Sequence, residues 1–380
     1  MESNTEEVKV MHVVISGYYG FDNTGDEAIL VAIIQALKKR KADIKITVLS
    51  HQPEKTRNAY GVHAISRWKI HKICRLLKKA DGLISGGGSL LQDKTGPKSI
   101  PYYTAIIRMA KHYRKPVFIY AQGIGPIDRK LNQWIVKRIL NKVDSITVRD
   151  SFSKELLEQV GVKKEKTIVP DPVLALQYEP VSCDWQPDLP DGQPYITVSV
   201  RNWETDKPYK RKIAASLDLL AQAGYAIVFV PMHGEQDEQA SQETAAMMKE
   251  ESFMAPGDLS PEEKVTVIGE SKLLIGMRLH ALIFSAISYT PFVAISYDPK
   301  ITSFAAMCDQ PLAGSVDSND WNEQTLFDMA IHSLQDRHRS FVLNKAVRKF
   351  QQEAQQTPDL ALEVIQHRAL AKKKKRRRNA

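Results

Sequence analysis

The sequence predicts an α/β fold of two parallel-sheet domains facing a cleft, on three observations. Short β-rich runs alternate with helix-period segments along most of the chain, which is the pattern of parallel strands joined by crossover helices. The alternation stops over 177–194, a Pro- and Asp-rich stretch without periodicity, and then restarts. At 380 residues the chain is also longer than one core usually grows, about 250 to 300 residues. The expected organisation is a first domain over 1–176, a linker over 177–194, a second domain over 195–320, helices over 321–371 and a basic tail over 372–380.

In the first half, 9–16 (KVMHVVIS) reads as a strand that ends at Gly17, and 28–39 as a helix. The loop between them, YYGFDNTGDE, carries three aromatics where a dinucleotide fingerprint would space glycines closely. Its Asn23, Asp26 and Glu27 suit hydroxyl contacts or a helix cap, and for Asp26 both roles stand open. A strand over 44–49 follows, then helices around 54–60 and 67–79. The run DGLISGGGSLLQD (81–93) is again a strand that opens into a glycine loop. Gly86, Gly87 and Gly88 let a backbone approach a ligand closely, with Ser89 beside them. A strand over 116–121 exits at Gln122, a helix runs over 131–141, and the strand 145–148 exits at Arg149 and Asp150 before the helix 151–160. The ordinary role for Arg149 is an ion pair with Asp150 or a neighbouring helix. Ile168 to Pro172 closes this half, with Asp171 at another strand exit.

The second half repeats the plan. A strand over 196–200 ends at Arg201, a helix covers 211–223, a strand over 226–230 ends at PMHG, and a helix covers 236–249. Ser260-Pro261-Glu262-Glu263 has the residues of a helix start: a cap, a first-position proline and early acids. Leu273 to Gly276 then reads as the end of a buried strand, and Met277 to Ser288 as an apolar helix interrupted by Arg278 and His280. Free N–H groups and the helix dipole favour anions at such a corner. Residues two apart on a regular helix point to different sides, so Arg278 and His280 serve one ligand only if Arg278 precedes the helix. A strand over 291–296 and a long polar helical region over 322–370, broken near Thr357-Pro358, complete the chain.

Composition narrows the function classes. The chain is 43% hydrophobic and 26% charged, ordinary for a globular protein, and no apolar run reaches the roughly 20 residues of a membrane span. The polar, acidic start predicts no secretory signal, so the expected location is the cytoplasm. Cys74, Cys183 and Cys308 have neither disulfide-framework nor zinc spacing, and no other metal motif appears. Of the formal charge of +9, the seven basic residues of 372–378 leave only +2 for the rest, so the basic character belongs to the tail and not to a nucleic-acid-binding face. Such a tail reads as a solvated end, a nonspecific nucleic-acid binder or a contact with an anionic inner leaflet.

Five strand exits thus carry the unusual residues: the 18–27 loop, the 86–93 loop, Arg149, Arg201, and Arg278 with His280. Ligands of α/β sheets bind at these carboxyl ends. Three arginines around one imidazole suit a small, doubly anionic substrate and a proton transfer near neutral pH.

Several separated motifs in one order, GYYGFDNTGDEAIL, ISGGGSLLQD, YAQGIGP, ITVRD, GMRLHALIFSA and PFVAISYDPK, resemble the bacterial polysaccharide pyruvyltransferases of the CsaB type over most of 10–310. The resemblance implies a GT-B-like fold and transfer of an enolpyruvyl unit from phosphoenolpyruvate to a sugar. The product would be a 4,6-linked pyruvate ketal on an N-acetylmannosamine of a lipid-linked cell-wall polysaccharide precursor, the later anchor for S-layer proteins. On this reading His280 is the acid/base, and Arg149 and Arg278, with Met277 alongside, hold the donor. Arg201 joins them on the strand-exit argument alone. Asn23, Asp26, Gly86, Gly87, Gly88, Ser89 and Gln122 are assigned to the acceptor or to cleft shape. No cofactor or metal is expected beyond the donor substrate. Two other readings are a glycosyltransferase that uses a nucleotide sugar, with Asp298 as a ribose ligand, and a noncatalytic polyanion- or membrane-binding protein acting through its tail.

Overall fold

The computed structural model describes residues 10–94, 96–177 and 179–378, and the side chains of all of these but 337 and 368–378. The chain divides into two compact units. One comprises Met1–Phe21, Ile29–Ala175 and Glu353–Ala380, the other Asp22–Ala28 and Leu176–Gln352. By this division the 22–28 loop counts with the second unit, and the end of the helices read from sequence as a separate 321–371 segment counts with the first.

The first unit contains strands β1 (His12–Ser16), β2 (Lys45–Ser50), β3 (His63–Ser66), β4 (Gly82–Ser85), β5 (Gly88–Leu91), β6 (Val117–Ile124), β7 (Ser145–Val148) and β8 (Lys166–Ile168). They form one parallel sheet in the order β3-β2-β1-β4-β6-β7-β8, with β5 paired to β6. Helices α1 (Thr24–Arg40), α2 (Pro53–Tyr60), α3 (Ile70–Lys79), α4 (Ser99–His112), α5 (Lys130–Leu140) and α6 (Ser151–Gln159) are the crossovers. Strands buried on both faces explain why their sequences are apolar runs without clean alternation. Val14, Leu83, Ile119 and Ile146 from the sheet pack with Ile73, Ile107, Val136 and Leu157 from the helices.

The second unit contains β9 (Tyr195–Ser199), β10 (Ala226–Phe229), β11 (Ser252–Met254), β12 (Leu273–Gly276), β13 (Phe292–Ser296) and β14 (Leu312–Ser315), parallel in the order β11-β10-β9-β12-β13-β14. Its helices are α7 (Tyr209–Gln222), α8 (Gly234–Ala245), α9 (Pro261–Glu270), α10 (Leu279–Ile287), α11 (Pro299–Met307), α12 (Glu323–Gln335) and α13 (Arg337–Ala354). The capping box read at Ser260 forms, with Ser260 and Glu263 each satisfying the other's backbone N–H. The expected helical region over 322–370 is α12, α13 and α14 (Thr357–Arg378), the break expected near Thr357-Pro358 falling between α13 and α14, and α14 brings Ile365 against Gly82 within the first unit.

Among the helix starts that differ from the sequence reading, three bear on the residues singled out there. Helix α1 begins at Thr24, not Ala28, because the Asn23 carboxamide oxygen accepts from the N–H groups of Gly25 (3.1 Å) and Asp26 (3.3 Å). The cap is therefore Asn23, and Asp26 lies in the first turn. Helix α3 begins at Ile70, which leaves Arg67 and Trp68 on the loop after β3. Helix α10 begins at Leu279, with Arg278 as an extended N-cap residue. No helix among the described residues is long and apolar enough to cross a membrane, and the side chains of the basic tail lie outside the described residues.

Candidate functional site

In the first unit, the exits of β4, β6 and β7 build one polar cluster. Arg149 leaves β7 with its guanidinium buried against Gly123, where there is no Cβ to displace it. Its Nη2 donates to the Ser89 hydroxyl (2.9 Å) and its Nη1 to Asp171 Oδ2 (3.3 Å), while Asp150 lies 3.6 Å from Nε. Asp150 is also the N-cap of α6, accepting from Ser153 N–H at 2.7 Å, so the ion pair expected for Arg149 is shared with a capping role. Asp171 is oriented in turn by the N–H of Val173 (3.1 Å). Ser89, read from sequence as an acceptor residue, thus bonds directly to the arginine read as a donor residue.

The glycine loop beside it is dictated largely by protein neighbours. A Cβ on Gly86 would overlap the Tyr19 hydroxyl, and Gly88 has φ +86°, which disfavours other residues. Gly87 packs against Ile29 and Pro172. Gln122 is fully buried and spends its amide on this loop, donating to Ser85 Oγ (2.8 Å) and to the Gly86 carbonyl (2.9 Å). It shapes the loop from within.

In the second unit, Arg278 has φ −83° and ψ 127°, so it precedes the helix that begins at Leu279, and His280 lies in the first turn. This is the arrangement that the two-residue spacing requires if both side chains are to serve one ligand. Arg278 forks onto Asp237, with Nε donating to Oδ2 at 2.8 Å and Nη2 to Oδ1. Asp237 is 0% exposed and also accepts from the N–H of Met232 (3.2 Å). Burial works against the guanidinium charge of Arg278, but Asp237 outweighs it and raises its pKa; Tyr297 and Asp26 add to that effect. Met277 is wholly buried, and its N–H continues the sheet register to the Ser199 carbonyl (2.8 Å), so its side chain is core and is not presented to a donor.

Other groups gather around this pair. His233 is the N-cap residue of α8, and burial, then the Arg278 charge, lower its pKa. The Arg201 guanidinium lies over the rings of Tyr297 (4.4 Å) and Trp203 (5.4 Å). Burial alone would raise the Tyr297 phenol, but Lys300, Arg201 and Arg278 together lower it. The 22–28 loop joins the same unit: Asn23 forms a β-bridge with His233, and Thr24 N–H donates to the Met232 carbonyl (3.0 Å). Lys264, 0% exposed, donates to Thr24 Oγ1 (3.0 Å) and the Gly257 carbonyl (2.7 Å), and burial pushes its pKa down to about 8. Asp298 caps α11 by accepting from Lys300 N–H (3.1 Å), which is a structural use of the carboxylate read as a ribose ligand. Among the described residues no group of three or more His, Cys, Asp or Glu is placed to hold a metal ion.

Sequence reading missed His233, Asp237, Tyr297 and Lys264. The first and third had a usable signal, since both follow strands at the carboxyl edge of the sheet. Asp237 and Lys264 lie within helices whose sequences look solvent-facing, and nothing in their spacing marks them as buried.

A family model described as polysaccharide pyruvyl transferase matches residues 23–299, which include the 23–27 loop, Arg149 and the Arg278/His280 corner. The chain belongs to the polysaccharide pyruvyl transferase family. Members transfer pyruvyl groups onto polysaccharide, so this family member is an enzyme of the pyruvyltransferase class with a pyruvyl donor and a saccharide acceptor. It is 22% identical to the amylovoran biosynthesis protein AmsJ of Erwinia amylovora over 355 residues, 76% of this chain and 84% of AmsJ. In fold it is similar to a UDP-N-acetylglucosamine 2-epimerase (TM-score 0.65, 12% identity, covering 93% of this chain and 95% of that one). It is also similar to a glycosyltransferase from Rickettsia africae (TM-score 0.62, 12% identity, covering 95% and 99%). These likenesses establish the GT-B-like α/β fold class of this pyruvyltransferase.

Proposed function

We propose that this family member transfers the enolpyruvyl unit of phosphoenolpyruvate to a sugar and closes a 4,6-pyruvate ketal, releasing phosphate. The observation that carries the reading is the corner at the end of β12. There an arginine in extended conformation directly precedes a helix whose first turn bears His280, in a chain of this family. Phosphoenolpyruvate has a phosphate and a carboxylate on one small skeleton, and guanidinium forks match both. Arg149, Arg278 and Arg201 are the residues assigned to these anionic groups.

His280 donates a proton to the methylene carbon, and the cationic character that develops at C2 draws the first sugar hydroxyl. The hydroxyl proton passes to the imidazole as the C–O bond forms. A second hydroxyl then displaces phosphate from C2 and closes the ketal, its proton leaving with the phosphate. Two C–O bonds form, the bond from C2 to the phosphate oxygen breaks, and no electrons are exchanged with a redox partner. No step calls for a cofactor beyond the donor substrate.

The resemblance to the CsaB type supports N-acetylmannosamine of a lipid-linked cell-wall polysaccharide precursor as acceptor, and S-layer anchoring as the later use of the ketal. A lipid-linked acceptor also makes an anionic inner leaflet a partner for the 372–378 tail, where each basic residue near the surface contributes about 1 kcal/mol. Truncation after Leu370 is then expected to abolish binding to anionic vesicles, and unchanged binding would remove that partner.

The decisive assay is phosphate release from phosphoenolpyruvate with and without a β-N-acetylmannosaminide, followed by product mass. Acceptor-dependent phosphate with a pyruvylated sugar is expected. No release, together with binding of a nucleotide sugar, would favour a glycosyltransferase instead.

A further inference from the structure

The carboxyl ends of β1, β2 and β3 carry a second constellation in the first unit, outside the Arg149 cluster. Arg67, directly after β3, is buried among aromatic rings: its guanidinium carbon lies 4.3 Å from the ring centre of Tyr102, 5.0 Å from Phe21 and 5.1 Å from Trp68. Its Nη1 donates to the Gly17 carbonyl at 3.2 Å, which ties it to the end of β1. Trp68 is fixed from two directions. One ring face meets Arg67, and its indole N–H donates to His51 Nδ1 at 3.1 Å. His51 is itself stacked on Phe21, 4.4 Å between centres and 1° from parallel. Yet Trp68 is 57% exposed, whereas Trp321 is 2% exposed.

A surface tryptophan held this firmly has lost its rotational freedom before any ligand arrives, so little more is lost on binding. Its position matters as well, because the carboxyl edge of a parallel sheet is where ligands of this fold class bind. A flat apolar ring whose surroundings carry hydrogen-bonding groups complements a pyranose, which presents C–H groups on one face and hydroxyls around its edge. A nucleotide base would also stack, but Arg67, the cation beneath the rings, is buried with its Nη atoms bonded to Gly17 and Tyr103 and is not presented to a phosphate.

We propose that Trp68 is a stacking platform for a sugar ring of the acceptor glycan. The platform is a saccharide subsite distinct from the arginine and histidine groups that meet the donor. This rests on the saccharide-acceptor half of the function proposed above.

The experiment uses the full chain and two probes: the disaccharide and the tetrasaccharide of β-linked N-acetylmannosamine. Calorimetric titration compares wild type with Trp68→Ala, Trp68→Phe and Trp134→Ala, the last being an exposed tryptophan on α5 at 53%. At least tenfold weaker binding in Trp68→Ala, retention within threefold in Trp68→Phe and no change in Trp134→Ala are expected. Labelling the wild-type chain with 5-fluorotryptophan removes any dependence on a variant's folding, because the Trp68 resonance should shift on saccharide titration. Equal binding by Trp68→Ala and wild type, equal losses at Trp68 and Trp134, or a Trp68 resonance that stays still at saturation would each overturn the platform. Wild type that pyruvylates a monosaccharide yet binds neither probe would overturn it while leaving pyruvyl transfer intact. Saccharide binding at Trp68 without phosphate release would do the reverse.

Discussion

Gly25 lies directly against the imidazole of His280. A Cβ at position 25 would overlap Nδ1 and Cγ of the ring, so the first turn of α1 packs on the candidate acid/base without an intervening side chain. Asn23 caps that turn, and Lys264 bonds to Thr24 within it. The loop is thereby held in place on one side of the ring.

Gly25→Ala should therefore displace His280 while leaving α1 formed, because alanine is the better helix residue. Pyruvyl transfer is expected to fall about 10- to 100-fold in kcat, the scale of an ångström-sized misplacement. Unchanged circular dichroism with such a fall, measured as phosphate release, supports the contact. Wild-type kcat would mean that the ring position is not used in the reaction.

Arg278 and Asp237 form a two-bond pair with the carboxylate fully buried. Breaking it from one side, as Arg278→Met or Asp237→Leu, should cost about 3 to 5 kcal/mol because a buried charge is left alone. The double variant should recover most of that loss. Urea midpoints of the four proteins test this; additive losses would show that the two residues act separately. Part of any activity lost at Arg278 is thus structural, and a stability measurement must accompany it.

Ser89→Ala removes one of the bonds that aim Arg149 while Asp171 retains another. If Arg149 holds the donor, KM for phosphoenolpyruvate should rise about tenfold, the effect of one lost hydrogen bond to a charged group, and KM for the acceptor should stay unchanged. A rise confined to the acceptor would return Ser89 to the acceptor role inferred from its place in the glycine loop.

The alternation of apolar runs with helix-period segments was enough to read the central strands of both sheets, since strands buried on two faces must be apolar along their length, whereas the short β5 and the edge strands β3, β11 and β14 were not read. The strand-exit rule likewise located Arg149, Arg201 and the Arg278/His280 corner. What was not legible depended on contacts distant in sequence. Gly86 and Gly87 read as ligand-approach glycines, but Tyr19, Ile29 and Pro172 explain them. Met277 reads as a site residue by adjacency, yet strand register turns it into the core. Asp237 and Lys264 sit in helices with charged neighbours, and only tertiary packing removes them from water. The start of α10 was misplaced because apolar content continues across Gly276 without a cap residue to mark the turn.

Lys264 provides a test with a definite sign. Its amine is wholly buried and titrates at about 8 in the folded chain, against about 10.5 for a free lysine. Between those values the unfolded chain holds a proton that the folded chain has released, so stability from this group rises with pH across that window. Below about pH 8 both states are protonated, and the full cost of burying the charge, about 3 kcal/mol, is present. Lys264→Met carries no such group. The difference in unfolding free energy, wild type minus Lys264→Met, should therefore climb by up to about 3 kcal/mol as pH rises from about 7 to above 10. The comparison cancels groups common to both proteins, including Cys308, whose thiol burial pushes up to about 12. A flat difference across this range would show that Lys264 keeps its proton while bonded to Thr24 and Gly257. The 22–28 loop would then be held by a charged donor at every working pH.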